Sequence, residues 1–209
     1  MRLDITRHIE SVEKIIASHQ IGTGQYRRWL WQDKGGTRNL DINEYGCADA
    51  ANILYMIGRF PSEPVERGEW IAALQGLQDP ETGLFVEATH HPIHTTAHCI
   101  AALELFEQKA KYPLKELRPY LERENLYALL DGLDWAGNPW TASHQGAGIF
   151  AALVLQGDAD SRWRDWYFQW FWEEQDPETG FWRKGCVKPI TQGDSFSGTD
   201  LKPSVFPFL

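Results

Sequence analysis

The segment QDPETGLF at Gln78–Phe85 returns almost unchanged as QDPETGFW at Gln175–Trp182. A near-identical octapeptide occurring twice in 209 residues marks an internal repeat. Tandem units of this kind each leave an apolar face that only a neighbouring unit can cover. Both copies follow amphipathic, Trp-containing runs with helical spacing. Within each copy, Pro80 or Pro177 suits the second position of a β-turn and Gly83 or Gly180 can take a positive φ. The Asp side chain can cap free N–H groups, and Phe85 or Trp182 then packs back over the helix end. The motif reads as structural, since one catalytic site rarely needs two copies of one loop.

A second register agrees with the first. Alanine pairs open AANILYMIG at Ala50, AALELF at Ala101 and AALVLQG at Ala151, at spacings of 51 and 50 residues. Small residues there let helix backbones approach closely. The spacing predicts helices over 5–19, 43–57, 65–77, 94–110, a run over 115–133 broken by Pro119, a helix starting at Ser143 and ending at Gly157, and one over 161–174. In the first, Ile9, Val12, Ile15 and Ile16 form one stripe. No strand-like period of two is evident. The expected fold is all-α, repeated helical hairpins over 1–184 followed by an irregular tail over 185–209 that ends in Val-Phe-Pro-Phe-Leu.

Net charge of -9 without a basic patch argues against a nucleic-acid partner. No apolar run reaches membrane-spanning length, so no membrane span is expected. The three cysteines, Cys47, Cys99 and Cys186, are too few for a disulfide framework. The charged N-terminus lacks the apolar core of a secretory signal. Together these suggest a cytoplasmic setting.

The turns resemble the Q-x-x-x-G-x-W/F repeat of terpenoid cyclases and protein prenyltransferase β-subunits. The matching residues are Gln78, Gly83 and Phe85, then Gln175, Gly180 and Trp182, with weaker echoes at Gln20, Gly24 and Tyr26 and over Asp131–Trp140. The resemblance implies an α/α toroid, with odd helices outside, even helices inside and a ligand cavity at the inner helix ends. It does not extend to the catalytic motifs. The acidic initiator cluster is matched only poorly by Asp158-Ala-Asp160-Ser161, and the zinc ligands of the prenyltransferases have no counterpart. About seven helices are also too few for a closed ring, so the chain reads as a partial toroid, completed by a partner chain, a second copy or further sequence.

Aligning the even helices by their alanine pairs matches Asn43-Glu44 with His94-Thr95 and with His144-Gln145, and Cys47 with His98. Polar residues at inner-helix starts would rim one cavity, which makes Glu44, Asp49, His94, His98 and His144 the candidate catalytic residues. Histidines beside Glu44 or Asp49 could shuttle protons near neutral pH. Asp49 reads as a buried carboxylate paired with Arg27 or Arg28. His94 and His98, at i and i+4, could share a zinc ion with a third ligand from Glu44, Cys47 or His144. The alternative is that they hydrogen-bond and line a polar cavity without metal. The aromatic run Trp163–Trp172 reads as core, or as a wall for stacking a sugar. Two functions remain open: an enzyme acting on a small carbohydrate or isoprenoid-like molecule in a His/Trp-lined cavity, or a non-catalytic ligand-binding or assembly module.

Overall fold

The computed structural model describes residues 4–185. The tail beyond them, with Cys186 and the Ser-containing segment Gly193–Gly198, lies outside the described residues. Seven α-helices, one 3₁₀ helix and one two-stranded hairpin form the regular structure of the described residues. None of these helices is long and apolar enough to cross a membrane. The array expected over 1–184 groups into two compact units, Met1–Lys115 and the remainder from Glu116.

The first unit contains α1 (Thr6–His19), β1 (Gln20–Gly22), β2 (Gln25–Tyr26), α2 (Glu44–Met56), α3 (Pro64–Gly76) and α4 (Pro92–Leu105). Helix α1 buries only Ile16 of the expected stripe, and Ile15 stands 61% exposed. The Asn43 side chain caps α2 by accepting from Tyr45 and Gly46 N–H. Prolines pre-set the backbone at the first turns of α3 and α4. Helix α4 starts at Pro92, capped by His91 Nδ1, which accepts from Ile93 N–H. His94 therefore sits inside the first turn rather than at the start, and the helix stops at Leu105 instead of reaching 110. The short β1–β2 hairpin falls where a polar, Gly-containing stretch gave no alternation to read.

The second unit follows a 3₁₀ helix over Lys115–Leu121. It contains α5 (Arg123–Gly132), α6 (Pro139–Gln156) and α7 (Ser161–Glu174). Pro119 splits the run as expected. Helix α6 begins four residues before Ser143, at Pro139, with the Asn138 side chain accepting from Thr141 N–H. Ser143 is buried inside the helix and donates to Trp140 O. The Trp-rich helix α7 is core on one side, where Trp163, Tyr167, Trp170 and Phe171 are buried, whereas Trp172 is exposed. Its polar tips are satisfied within the unit. Trp163 donates to Tyr120 O, Trp170 to Asp131, and Tyr167 to Gly146 O.

The two QDPETG turns are the same object. Asp79 N–H donates to Leu84 O and Asp176 N–H to Phe181 O; Gly83 N–H donates to Asp79 O and Gly180 N–H to Asp176 O. Asp79 and Asp176 each accept from the Glu two residues on; that bond holds the Asp79 carboxyl below its usual range, and at Asp176 a bond from Gly185 N–H does so first, then that from Glu178. Gln78 Nε2 reaches Gly83 O at 2.7 Å and Gln175 Nε2 reaches Gly180 O at 3.2 Å. Each turn closes with an antiparallel bridge, Gln78 to Phe85 and Gln175 to Trp182. The echo at Gln20 is real too, since Gln20 pairs with Tyr26 across Gly24, at φ +70°. Odd helix, glutamine turn and aromatic closure thus recur after α1, α3 and α7.

Candidate functional site

Helices α2 and α4 form the most extensive helix–helix contact in the first unit. Their N-terminal ends lie together. Tyr45 Oη lies 2.5 Å from His94 Nδ1, and Asp49 Oδ1 lies 2.7 Å from His98 Nε2. The equivalence differs by two residues from the alanine alignment. The backbone of Tyr26 bonds to Cys47 Sγ, and the backbone of Phe85 bonds to Thr96 Oγ1. Cys47 therefore corresponds to Thr96, not to His98.

Along one face of α4, the rings of His90, His94 and His98 follow one another with centroids 5.7 and 6.2 Å apart. The buried Tyr45 ring packs against this ladder, 4.2 Å from His90 and 4.9 Å from His98. Burial, foremost, keeps the Tyr45 phenol above its ordinary range. Asp49 is not the buried carboxylate expected. It is 55% exposed and pairs with His98 rather than with Arg27 or Arg28, because its position on α2 faces out beside α4. His144 stands in the second unit, packed edge-on against Trp140 at 4.5 Å.

The zinc reading gains nothing from this geometry. Cys47 is spent on the Tyr26 backbone, and burial pushes its thiol up to about 11. Cys99 is fully buried, and burial raises its thiol well above the ordinary range too. Among the described residues no group of three or more His, Cys, Asp or Glu is arranged to hold a metal ion.

A cavity of about 480 Å³ opens beside the start of α2. Its walls carry Trp29, Thr37, Arg38, Asn39, Asn43, Glu44, Glu87 and Thr89, together with Ile42, Val86 and Ala88. Of the five candidates read from the sequence, only Glu44 lines it. Two carboxyls share this space in opposite environments. Glu87 is almost fully buried, and burial by itself would raise its pKa. Hydrogen bonds from the Thr89 hydroxyl and N–H and from His90, with the charge of Arg28 at 3.1 Å, outweigh that and hold it below the usual range. Glu44 makes no ion pair among the described residues. Burial, then the nearby charge of Glu87, raise its pKa against its own backbone N–H. The two environments thus push the two carboxyl pKa values apart, Glu44 upward and Glu87 downward.

The loop facing them is rigidly built. Gln32 clamps the Arg38 backbone from both sides, accepting its N–H and donating to its carbonyl at 2.8 Å each. Asp33 accepts from the Thr37 N–H and hydroxyl. Guanidinium and ring then alternate: Arg38 lies 4.3 Å from the Trp29 centroid, and Arg28 lies 5.1 Å from Trp29 and 5.0 Å from Tyr45. Trp29, Arg38, Tyr45 and Glu87 also stand at the candidate site, and the sequence pattern did not single them out. Arg27–Trp29 is too short for a basic patch, and a lone Glu two residues after a turn carries no periodic signal.

Fold and site define a mostly helical protein whose first unit carries a polar, carboxyl-lined cavity. No protein-family model, no curated protein and no solved structure matches this chain.

Proposed function

We propose that the protein is an enzyme that binds a small carbohydrate in the cavity beside α2 and moves a proton to or from one of its oxygens, with Glu44 as the acid–base group. The observation that carries this reading is the pair Glu44 and Glu87 in one cavity, one carboxyl without an ion pair among the described residues and with its pKa raised by burial, the other locked by Arg28, Thr89 and His90. A general acid needs a raised pKa and access to the ligand, and Glu44 has both. Glu87 supplies a fixed negative charge that helps hold the Glu44 proton. The predominance of hydroxyl, amide and charged groups favours a carbohydrate over an isoprenoid-like ligand, which needs an apolar wall.

The hairpins belong to a partial α/α toroid of the terpenoid cyclase and prenyltransferase type. The shared direction and register of α2 and α4, with the glutamine turn recurring after odd helices, support that assignment. Tyr45 and the His90–His98 ladder then serve to hold the two inner-helix ends in place, and Asp49 orients His98.

The test is a panel of small glycosides incubated with wild type and Glu44→Gln. Turnover of at least one glycoside, lost in the variant while binding persists, is the expected result. Full activity in Glu44→Gln would refute the assignment. One observation favours an assembly module instead: Tyr55, Met56 and Val65 are exposed apolar residues, Met56 by 82%. Light scattering distinguishes the two, since a monomer at all concentrations leaves that surface unused.

A further inference from the structure

We infer that the cavity selects a sugar bearing an anionic group, a carboxylate as in a uronic acid or a phosphate ester, and that Arg38 is the residue that reads it. The inference rests on the reading of the cavity as the substrate site. Three observations carry it. Arg38 lines the same cavity as Glu44. Its guanidinium is stacked on Trp29, and its backbone is fixed on both sides by Gln32. Its side chain donates one hydrogen bond, to Trp31 O at 3.3 Å, and forms no ion pair among the described residues. Asp33 is near enough to feel the charge of Arg38, but its oxygens are taken by Thr37.

Glu87 is paired with Arg28. Arg38 is thus a guanidinium of the cavity with no carboxylate partner among the described residues, in a chain whose net charge is -9. A stacked guanidinium with unused N–H donors is pre-organised to grip an oxyanion through two parallel hydrogen bonds. A neutral sugar offers it only uncharged hydroxyl oxygens, without the charge assistance of an oxyanion. Cavity size suits one or two sugar rings.

The experiment measures equilibrium binding by Trp fluorescence for methyl β-glucuronide, glucose 6-phosphate and methyl β-glucoside. It uses wild type, Arg38→Gln and Arg38→Lys, with circular dichroism confirming the fold of each. At least one charged sugar is expected to bind about tenfold or more tighter than the glucoside. Arg38→Gln is expected to erase that preference, and Arg38→Lys to retain part of it. Which charged sugar binds tighter identifies the carboxylate or the phosphate. Equal affinity for all three sugars, or a preference that survives in Arg38→Gln, overturns the role of Arg38 and leaves the cavity reading standing. No binding of any sugar overturns both.

Discussion

Asp49 Oδ1 lies 2.7 Å from His98 Nε2, joining α2 to α4 across 49 positions of sequence. The same separation relates Tyr45 to His94, so two contacts one turn apart report one register between parallel neighbours. The Asp49 side chain is more than half exposed, and water screens such a pair. Asp49→Asn, His98→Asn and the double variant are expected to differ from wild type by no more than about 1 kcal/mol, with a coupling of about 0–1 kcal/mol. Urea denaturation of the four proteins measures it. A coupling of several kcal/mol would mean the pair is buried in solution.

Glu44→Gln is expected to raise the melting temperature at pH 7. The folded-state pKa of Glu44 lies above its ordinary value of 4.5. Folding therefore carries an ionisation penalty that is fully developed above that raised pKa and absent below pH 4.5. The gain from the amide should vanish as pH falls towards 4. A variant that is more stable yet inactive is the signature of a carboxyl kept for function. Thermal melts at both pH values decide it.

Glu87 has the opposite sign. Its folded pKa is depressed, so its stabilisation is present above the ordinary 4.5 and is lost as pH falls through the folded value. Glu87→Gln keeps the shape but removes the charge facing Arg28. The expected cost is about 1–3 kcal/mol at pH 7, shrinking below pH 4.5. Constant destabilisation down to pH 3 would show that packing, not charge, is what the carboxylate supplies.

The twin turns should respond unequally to one substitution. Gly83 and Gly180 have φ of +79° and +75°, so alanine strains either by about 1–2 kcal/mol. A Cβ on Gly83 would also sit 1.9 Å from Pro113 O, while none of the described residues lies within 4 Å of one on Gly180. The clash adds about 1–3 kcal/mol. Gly83→Ala is thus expected to be the more damaging by that margin in denaturant unfolding. Equal costs would mean that the segment Tyr112–Leu114 moves away without loss.

The source of that asymmetry separates what pattern carries from what packing adds. Gln78 donates to Tyr112 O and accepts from Tyr112 N–H, so the first turn is buttressed by a segment 34 residues away. Nothing in QDPETG announces it, because a repeated motif specifies its own local hydrogen bonds and not its neighbours.

The amino-acid sequence alone determined the succession of helices, the paired glutamine turns and the break at Pro119. Each of these follows from periodicity or from turn chemistry acting within a few residues. Only the tertiary structure decided that Glu44 shares a cavity with Glu87, that Arg28, Trp29 and Arg38 stack over it, and that Asp49 faces water. Those relations depend on where loops cross helix ends. A loop residue gains its partner, burial and ionisation from chain segments tens of residues distant, which no local pattern encodes.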